Sequence, residues 1–401
     1  MMEFLDVINY SFFAIMIGVS GAWAMLIKSM ISSFTKTPYL DRFEKKNHER
    51  PTVSIILPAR NEKGFIEKCL DSLLDQDYEN YEIIAIDDSS DDSTGEIIAE
   101  YARKNPKVIH VSARPKPDGW MGKNWACAEG YKKAIGELLL FTDSDTKHSK
   151  SVVSLAVDHL LSLELDALTV IPKMRCLDTW TRITLPVLST FLHTRFSALR
   201  VNDPTKKTGY FFGSFFIIRK KTYEDVGTHE GVKNEIIEDG ALGKKVKESG
   251  HKMRMVRGTH LVDAVWARDW PSLWNGLKRL MIPLYLQNGK IAVGIFFAVL
   301  FLLFMPYVFL AYSAVFAGQS ESFSALFAMS AISSSLVYFA GVIDSRALQL
   351  KLRYGLCGPI GSFVVVSGFF CGILQAKSSM SVSWRGRDYS MKDHVQNSIN
   401  V

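Results

Sequence analysis

Short apolar runs alternate with amphipathic stretches in the part of the chain that follows residue 50. The runs cover residues 53–58, 82–86, 108–111 and 138–141. The stretch after the first run repeats apolar side chains at helical spacing, as in Phe65, Cys69 and Leu73, which predicts an amphipathic helix. Alternation of buried strands with helices is typical of an α/β domain in which a mostly parallel sheet carries helices on both faces.

Polar side chains follow three of these runs, at the point where each run ends. They form the segments 58–62, 87–92 and 143–145. Because parallel strands end at the same edge of a sheet, and because ligands of open α/β sheets bind beyond those carboxyl ends, we expect the three segments to converge on one crevice.

A long apolar stretch near the N-terminus has the length of a membrane span. Residues 9–31 carry no charge before Lys28, and such a stretch is long enough to cross a bilayer. Acidic side chains precede it and basic side chains follow it, so the positive-inside rule places the next domain in the cytoplasm. Because no basic segment precedes the stretch, we interpret it as an uncleaved anchor and not as a signal peptide.

Three more apolar stretches lie near the C-terminus, at residues 291–317, 323–343 and 354–376. They are rich in small residues, which let helices pack closely in lipid. Four full crossings would place the basic tail outside, although basic residues favour the cytoplasm both in the tail and in the loop before the last stretch. We therefore expect three or four crossings, and we expect the Gly- and Pro-rich start of the last stretch to be interrupted or re-entrant.

Two further stretches, 180–201 and 270–287, mix Leu, Phe and Trp with Arg and Lys. This mixture predicts amphipathic helices that lie on a membrane surface. Helices packed on the α/β domain are the alternative.

Composition narrows the classes of partner. The 401 residues carry a net charge of +6, and 48% of them are hydrophobic. The charge favours a phosphate-bearing substrate or an anionic membrane surface, whereas the lack of a dense basic run argues against nucleic acid. The five cysteines form no CxxC pair, which indicates reduced thiols in a reducing compartment. No GxSxG, P-loop or GxGxxG motif occurs in the sequence.

The segment FTDSDT, residues 141–146, places Asp143 and Asp145 directly after an apolar run. Carboxylate oxygens suit Mg²⁺ or Mn²⁺, and such ions keep coordination positions for the phosphates of a substrate. Two neighbouring carboxylates repel each other, so we expect a positive group nearby. A solvated loop or helix cap that uses Ser144 is the alternative.

Three other positions carry candidate chemistry, each with a structural alternative. Asp87 and Asp88 can accept hydrogen bonds from a nucleobase or a ribose, or form a turn. Lys123, in GWMGK, can meet a phosphate or belong to a solvated turn. The pair Glu238-Asp239 precedes a predicted helix, where a carboxylate can take a proton from an acceptor hydroxyl or favour the helix N-terminus.

Four motifs in order resemble the inverting family 2 glycosyltransferases with a GT-A fold. They are PARNE (58–62), IDDSSDDST (86–94), TDSDT (142–146) and IIEDG (236–240), within residues 51–270. The segment DGWMGKNWA (118–126) and the tail SWRGRDY (383–389) look like those of membrane glycosyltransferases of the hopanoid-biosynthesis and carotenoid-glycosylating type.

The resemblance implies a role for each motif. It assigns nucleotide binding to the first two motifs and a metal and diphosphate site to Asp143 and Asp145, with Asp145 as the more direct ligand. It makes Asp239 the general base, preceded by Glu238. The nucleotide contacts implied are Ala59, Arg60, Glu62 and Asp88. To these nucleotide contacts we add Pro58, Asp87 and Ser144. Candidate contacts of the diphosphate are Lys123, Arg268 and the tail residues Arg385 and Arg387.

The resemblance also implies a domain organisation. We expect a transmembrane anchor (1–34), a linker (35–50), a Rossmann-like GT-A domain (51–270), an interfacial amphipathic helix (271–290), a C-terminal transmembrane region (291–376) and a tail (377–401). The predicted protein is an integral membrane enzyme with its catalytic domain in the cytoplasm.

The predicted reaction moves a single sugar from a nucleotide-diphosphate sugar to the hydroxyl of a lipid of isoprenoid or glycerolipid type, with inversion and with Mg²⁺ or Mn²⁺. A synthase that extends a polysaccharide is one alternative. Its QxxRW motif has no full counterpart, because residues 265–270 read VWARDW and lack the Gln and the adjacent Arg-Trp. A membrane scaffold with a degenerate transferase domain is the other alternative, and the intact carboxylates argue against it.

Overall fold

The structure is a computed structural model that describes residues 2–378, 381–384 and 386–390. It divides into two units. We call one the sheet unit, which consists of residues 36–175, 196–266 and the tail from residue 383. We call the other the helical unit, which consists of residues 1–35, 176–195 and 267–382.

The strands begin and end close to the predicted apolar runs. They are β1 Val53–Ala59, β2 Tyr81–Asp87, β3 Val108–Ser112, β4 Leu138–Phe141, β5 Thr146–His148, β6 Ala167–Ile171, β7 Lys173–Cys176, β8 Phe216–Arg219, β9 Met253–Arg257, β10 Val262–Ala267, β11 Ser381–Trp384 and β12 Arg387–Ser390.

The helices alternate with these strands in the first half of the chain and dominate the second half. They are α1 Met2–Lys36, α2 Ile66–Leu74, α3 Thr94–Lys104, α4 Gly122–Tyr131, α5 Val152–Ser162, α6 Thr179–Arg195, α7 Ala198–Val201, α8 Lys220–Asp225, α9 Glu238–Glu248, α10 Trp270–Gln287, α11 Gly289–Leu303, α12 Met305–Val315, α13 Glu321–Ala347 and α14 Gly358–Ser378, with short 3₁₀ helices at Glu230–Val232 and Leu352–Cys357.

The central sheet is mostly parallel, as the sequence predicts. Its described strands have the order β3-β2-β1-β4-β8-β6-β9. Strands β1 to β4 run parallel to one another, and β8 runs antiparallel to β4 and β6. The chain crosses to the other side of β1 when it forms β4, so the carboxyl ends of β1 and β4 border the point where the strand order reverses, which is the usual ligand position in such sheets.

Both faces of the sheet are buried, which explains why its strands read as continuous apolar runs. Ile55 and Leu57 of β1 belong to the apolar core on one face, with α2 and α5. Ile56 belongs to the core on the other face, with α4 and α9. Successive side chains of a strand point to opposite faces, so a strand covered on both sides is apolar at most of its positions.

The helical unit contains the candidate membrane spans. Among the described residues, three helices are long and apolar enough to cross a membrane, namely Phe4–Lys36, Glu321–Ala347 and Leu352–Ser378. The pair Gly289–Leu303 and Met305–Val315 is bent by 50° and would make a fourth span if it crosses as one. The count of three or four therefore agrees with the prediction from the sequence.

The interruption lies in a different stretch from the one that the sequence led us to expect. We expected it at the start of the last stretch, where the structure has a 3₁₀ turn that leads into the continuous helix α14. The break separates α11 from α12 instead, beside Pro306. Proline lacks an amide proton and cannot continue the hydrogen-bond ladder of a helix, whereas the glycines of α14 keep their amides.

Trp23 compensates for this break. In a continuous helix the amide of residue 306 would donate to the carbonyl of Leu302, and Pro306 has no such proton. The Trp23 Nε1–H donates to the Leu302 carbonyl oxygen at 2.8 Å, and the Trp23 side chain is buried, with 1% of its surface exposed. The bend of the α11–α12 pair is thus tied to α1.

Residues 180–195 and 270–287 of the two amphipathic stretches lie in the helical unit, whereas residues 196–201 belong to the sheet unit. Helices α6 and α10 cover most of them, and both pack against α14. Their predicted position at a membrane surface stays a prediction.

We predict that Trp23→Phe destabilises the helical unit. The change keeps an aromatic ring but leaves the Leu302 carbonyl without its donor, which costs about 1–3 kcal/mol for a buried group. Thermal unfolding of the detergent-solubilised chain checks this. Trp180→Phe is the control, because Trp180 is 45% exposed, and an equal loss of stability in both variants would contradict the prediction.

Candidate active site

Five elements of the sheet unit bring most of the predicted site residues to the carboxyl edge of the sheet. The segment 58–62 lies at the end of β1, Asp87 and Asp88 lie at the end of β2, and Asp143 to Asp145 lie in the turn after β4. Helix α4 begins at Gly122, next to Lys123, and α9 begins at Glu238. The sequence predicted the convergence of the three segments that follow β1, β2 and β4, but not the position of the starts of α4 and α9.

Lys123 is the positive group that the Asp143 carboxylate needs. Its Nζ lies 2.6 Å from Asp143 Oδ1 and 2.7 Å from Glu238 Oε1. Burial by itself lowers the pKa of Lys123, but Asp143, Glu238 and Asp239 raise that pKa well above its usual value. Lys123 therefore stays charged and links two carboxylates that come from distant parts of the sequence.

Asp239 is fixed by two backbone amides. The Gly213 N–H donates to its Oδ2 and the Gly240 N–H donates to its Oδ1, both at 2.7 Å. Each carboxylate oxygen keeps a second lone pair. Asp239 can therefore accept a further proton or hydrogen bond without losing its orientation.

The pKa of Asp239 is raised above that of an ordinary aspartate. Burial is the main cause, and the negative charges of Glu238 and Asp143 add to it, while Lys123 acts in the opposite direction. A carboxyl group with a raised pKa is suited to proton transfer near neutral pH. Asp239 also lies in the first turn of α9, so the predicted helix N-terminus and the predicted proton acceptor coincide.

Gly213 is a site residue that the sequence did not reveal. A Cβ at this position would lie 2.9 Å from both Asp239 Oδ2 and Lys123 Nζ, and 3.3 Å from Asp143 Oδ2. These distances leave no room for a side chain, so glycine lets the backbone approach the charged cluster. The surrounding sequence, GYFFGS, carries no catalytic pattern that could have identified it.

The predicted nucleotide contacts form a second cluster around two facing loops. Arg60 Nη1 donates to the carbonyls of Asp88 (2.7 Å) and Ser89, and Nη2 pairs with Asp91 at 2.9 Å. Asn61 and Ser89 have positive φ angles of 55° and 53°, which is uncommon for residues other than glycine. Such backbone strain is often found at ligand sites.

The acidic segment after β2 serves two purposes. Asp87 Oδ1 accepts the Ser90 amide at 3.1 Å, and Asp92 Oδ1 accepts the Thr94 amide at 3.0 Å at the start of α3. These contacts match the turn-and-cap alternative. Asp88, by contrast, is buried, with 3% of its surface exposed, and holds none of these turns.

The remaining predicted residues fall in different places. Pro58 and Ala59 belong to β1, and Glu62 is buried behind it. Ser144 is buried and Asp145 half-buried in the turn after β4. Arg268 belongs to the helical unit, where its amide donates to Ser272 Oγ at 2.9 Å. Arg385 lies outside the described residues.

The negative charges near β4 also affect the pKa of the buried Cys69 thiol. Burial raises the pKa of Cys69 well above its usual value, and the charges of Asp145, Asp143 and Glu62 raise it further. The charges at the ends of β1 and β4 therefore act on the same thiol.

The donor set fits a divalent cation that is shared with a substrate. Within the described residues, no group of three or more His, Cys, Asp and Glu side chains has metal-site geometry. Mg²⁺ and similar ions commonly bind one or two carboxylates and take their other ligands from phosphates and water. Asp143 and Asp145 are enough for that arrangement but not for a closed structural site.

Comparison with known proteins identifies the fold and the family. Residues 54–227 match the family described as glycosyl transferase family 2. The chain carries a family 2 glycosyltransferase domain. A mannosyltransferase from Pyrobaculum calidifontis, solved with GDP-Man and Mn²⁺, superimposes with a TM-score of 0.54 at 16% identity and covers 92% of this chain and 99% of its own. This likeness confirms the GT-A fold.

Two curated relatives act on different kinds of acceptor. The 4,4'-diaponeurosporenoate glycosyltransferase of Staphylococcus haemolyticus is 37% identical over 111 residues, which is 27% of this chain and 28% of that protein. The poly(ribitol-phosphate) beta-glucosyltransferase of Bacillus spizizenii is 40% identical over 95 residues, 23% of this chain and 14% of that protein. The matched part thus spans less than a third of each relative.

We predict that Lys123→Met lowers stability more at high pH than at low pH. Lys123 opposes the raised pKa of Asp239, so without the cation the pKa of Asp239 in the folded state rises further above that of the unfolded chain. The folded state then binds more protons, and stability is lost as the pH rises through the raised pKa values. Unfolding temperatures of the two proteins at about pH 5 and about pH 8 test this sign.

Lys132→Met is the matched control for this experiment. Lys132 also pairs with a carboxylate, that of Glu129 at 2.7 Å, but its side chain is 51% exposed. Such surface pairs contribute about 0–1 kcal/mol. A penalty for Lys123→Met that does not grow with pH would contradict the proposed charge balance.

Proposed function

We propose that this protein transfers a single sugar from a nucleotide-diphosphate sugar to the hydroxyl of a lipid, with inversion at the anomeric carbon. The observation that carries the proposal is the cluster of Lys123, Asp143, Glu238 and Asp239 around Gly213. This cluster places a fixed carboxylate of raised pKa next to a carboxylate pair suited to a metal-bound diphosphate, inside a family 2 domain.

The proton and the electron pairs move in one displacement. Asp239 takes the proton of the acceptor hydroxyl, and the acceptor oxygen forms a bond to the anomeric carbon. The bond between that carbon and the diphosphate oxygen breaks, and its electron pair leaves with the nucleotide diphosphate. Attack from the face opposite the leaving group inverts the configuration. The amides of Gly213 and Gly240 keep Asp239 oriented for this step.

Asp143 and Asp145 would hold a divalent cation, Mg²⁺ or Mn²⁺, which when bound neutralises negative charge on the departing diphosphate. Lys123 lies against Asp143 and adds a positive charge on the same side. Glu238 keeps Lys123 in place from the other side. In this scheme Glu238 positions the lysine and Asp239 carries the proton.

A lipid acceptor is supported by two observations. The same chain carries apolar helices of membrane-spanning length, and one relative is by its name a glycosyltransferase of a carotenoid acid. We therefore propose an integral membrane protein whose sheet unit lies in the cytoplasm, where basic residues follow the first span.

Labelled donors test the reaction and its acceptor. Membranes containing the protein are incubated with radiolabelled UDP-, GDP- and dTDP-sugars and Mn²⁺, and then extracted with organic solvent. We expect label in the organic phase that disappears on chelation and in Asp145→Asn, because the diphosphate then loses its metal. Label only in an insoluble polymer would favour a polysaccharide synthase, and no transfer from any donor would contradict the enzyme.

We predict that Asp239→Asn lowers the transfer rate by about 10²–10⁴-fold, the usual contribution of a general base. Nucleotide binding should change little, because the amide keeps the shape of the side chain. Initial rates and nucleotide affinity are measured on the same preparation. Asp225→Asn is the control, because Asp225 is exposed on α8. A rate near that of the wild type in Asp239→Asn would exclude Asp239 as the base.

A further inference from the structure

The described residues of the C-terminal tail belong to the sheet unit and reach the end of β2. Arg387, in β12, donates from Nη1 to Asp88 Oδ2 at 2.5 Å and from Nη2 to the Asp88 carbonyl at 3.2 Å. This contact joins residues that are 299 positions apart in the sequence. Arg60 donates to the same carbonyl at 2.7 Å, so two arginines converge on Asp88.

Tyr389 fixes the tail at the start of α4. The Tyr389 side chain is buried, with 6% of its surface exposed, and its hydroxyl accepts the Gly122 amide and meets Arg387. A Cβ at Gly122 would lie 2.7 Å from the Tyr389 hydroxyl and 2.9 Å from Asp88 Oδ2. The first amides of a helix lack partners within it, so Tyr389 satisfies one of these donors, and glycine leaves the room for it.

Arg387 opposes the effect of burial on the Asp88 carboxyl group. Burial is the main reason that the pKa of Asp88 is raised, while the hydrogen bond and charge of Arg387, together with the charge of Arg60, lower that pKa. A buried carboxylate that loses its cation is strongly destabilised or takes up a proton. Without Arg387, Asp88 would therefore tend to become a neutral acid.

One oxygen of this carboxylate remains available to a ligand. Asp88 Oδ1 is buried and has no hydrogen-bond partner among the residues that the structure describes. A buried acceptor without a donor is costly, and native proteins rarely leave one. The N–H groups of a nucleobase and the O–H groups of a ribose are donors of the kind that a carboxylate accepts.

We propose that strand β12 completes the donor site, with Arg387 as a positioning residue. Arg387 fixes the Asp88 carboxyl group so that its Oδ1 accepts an N–H or O–H group of the nucleoside part of the donor, and Tyr389 anchors β12 on α4. The inference rests on the proposed nucleotide-sugar donor and adds to it a requirement for the tail, which follows the last apolar helix of the chain.

A tail that blocks the site and must be displaced would show the opposite behaviour. In that case, loss of Arg387 would free Asp88 and strengthen nucleotide binding. The observed contacts favour completion, because Arg387 occupies Oδ2 and the main-chain carbonyl and leaves Oδ1 without a partner.

The test measures the binding of radiolabelled UDP and GDP to the purified full-length protein and to Arg387→Ala, Arg387→Lys and Tyr389→Phe. We expect Arg387→Ala to raise the nucleotide Kd by at least about tenfold, as expected for loss of a charge-assisted contact. Arg387→Lys should recover part of the affinity, because it keeps the charge but not the paired geometry of the guanidinium. Arg103→Ala, at an exposed position of α3, is the control.

A double variant separates positioning from a general effect on folding. In an Asp88→Asn background the carboxylate is absent, so we expect Arg387→Ala to change the Kd much less than it does in the wild type. In transfer assays, Arg387→Ala should raise the donor KM with little change in kcat.

Each other outcome has a clear meaning. An unchanged Kd in Arg387→Ala, with or without a lower unfolding temperature, would overturn the proposal and leave the proposed function intact. Tighter binding would establish a blocking tail. Absence of UDP and GDP binding to the wild type would overturn the proposal. In that case the proposed function would stand only if the protein binds dTDP or transfers a sugar.

Discussion

The enclosure of one ammonium group by carboxylates that repel each other is the interaction on which the site depends. Lys123 lies between Asp143 at the end of β4 and Glu238 at the start of α9, with Asp239 close by. Like charges at such separations are strongly unfavourable in a protein interior. The end of β4 and the start of α9 can therefore approach each other at Gly213, because the Lys123 ammonium group lies between their carboxylates.

The same balance of charge recurs at the end of β2. Asp88 is buried and is held by Arg60 from the neighbouring strand end and by Arg387 from the tail. In both clusters a carboxyl group at the carboxyl edge of the sheet is paired with a cation from another part of the chain. A substrate that carries phosphates, a metal ion and hydrogen-bond donors would enter a site whose charges are already paired and would redistribute them.

The sequence predicts the sheet and the convergence of three polar segments at its edge, for physical reasons. Strands buried on both faces are mostly apolar, as in β1 and β4, and a parallel sheet brings their carboxyl ends to one edge. It does not predict Gly213, because a glycine that is required for close approach looks like any other glycine. The sequence also predicts the break between apolar helices in the wrong stretch. The break beside Pro306 involves a hydrogen bond from Trp23 to the Leu302 carbonyl, and these two residues are far apart in the sequence.

The pattern of neighbouring residues in the sequence thus determines the α/β fold, the apolar helices and the residue types of the site. Each of these follows from the periodicity and the chemistry of residues that are close together in the chain. The tertiary structure alone decides which charges meet. Lys123 and Glu238, and likewise Asp88 and Arg387, are far apart in the sequence. Their pairing depends on how sheet, helices and tail fold onto one edge, which no pattern of adjacent residues records.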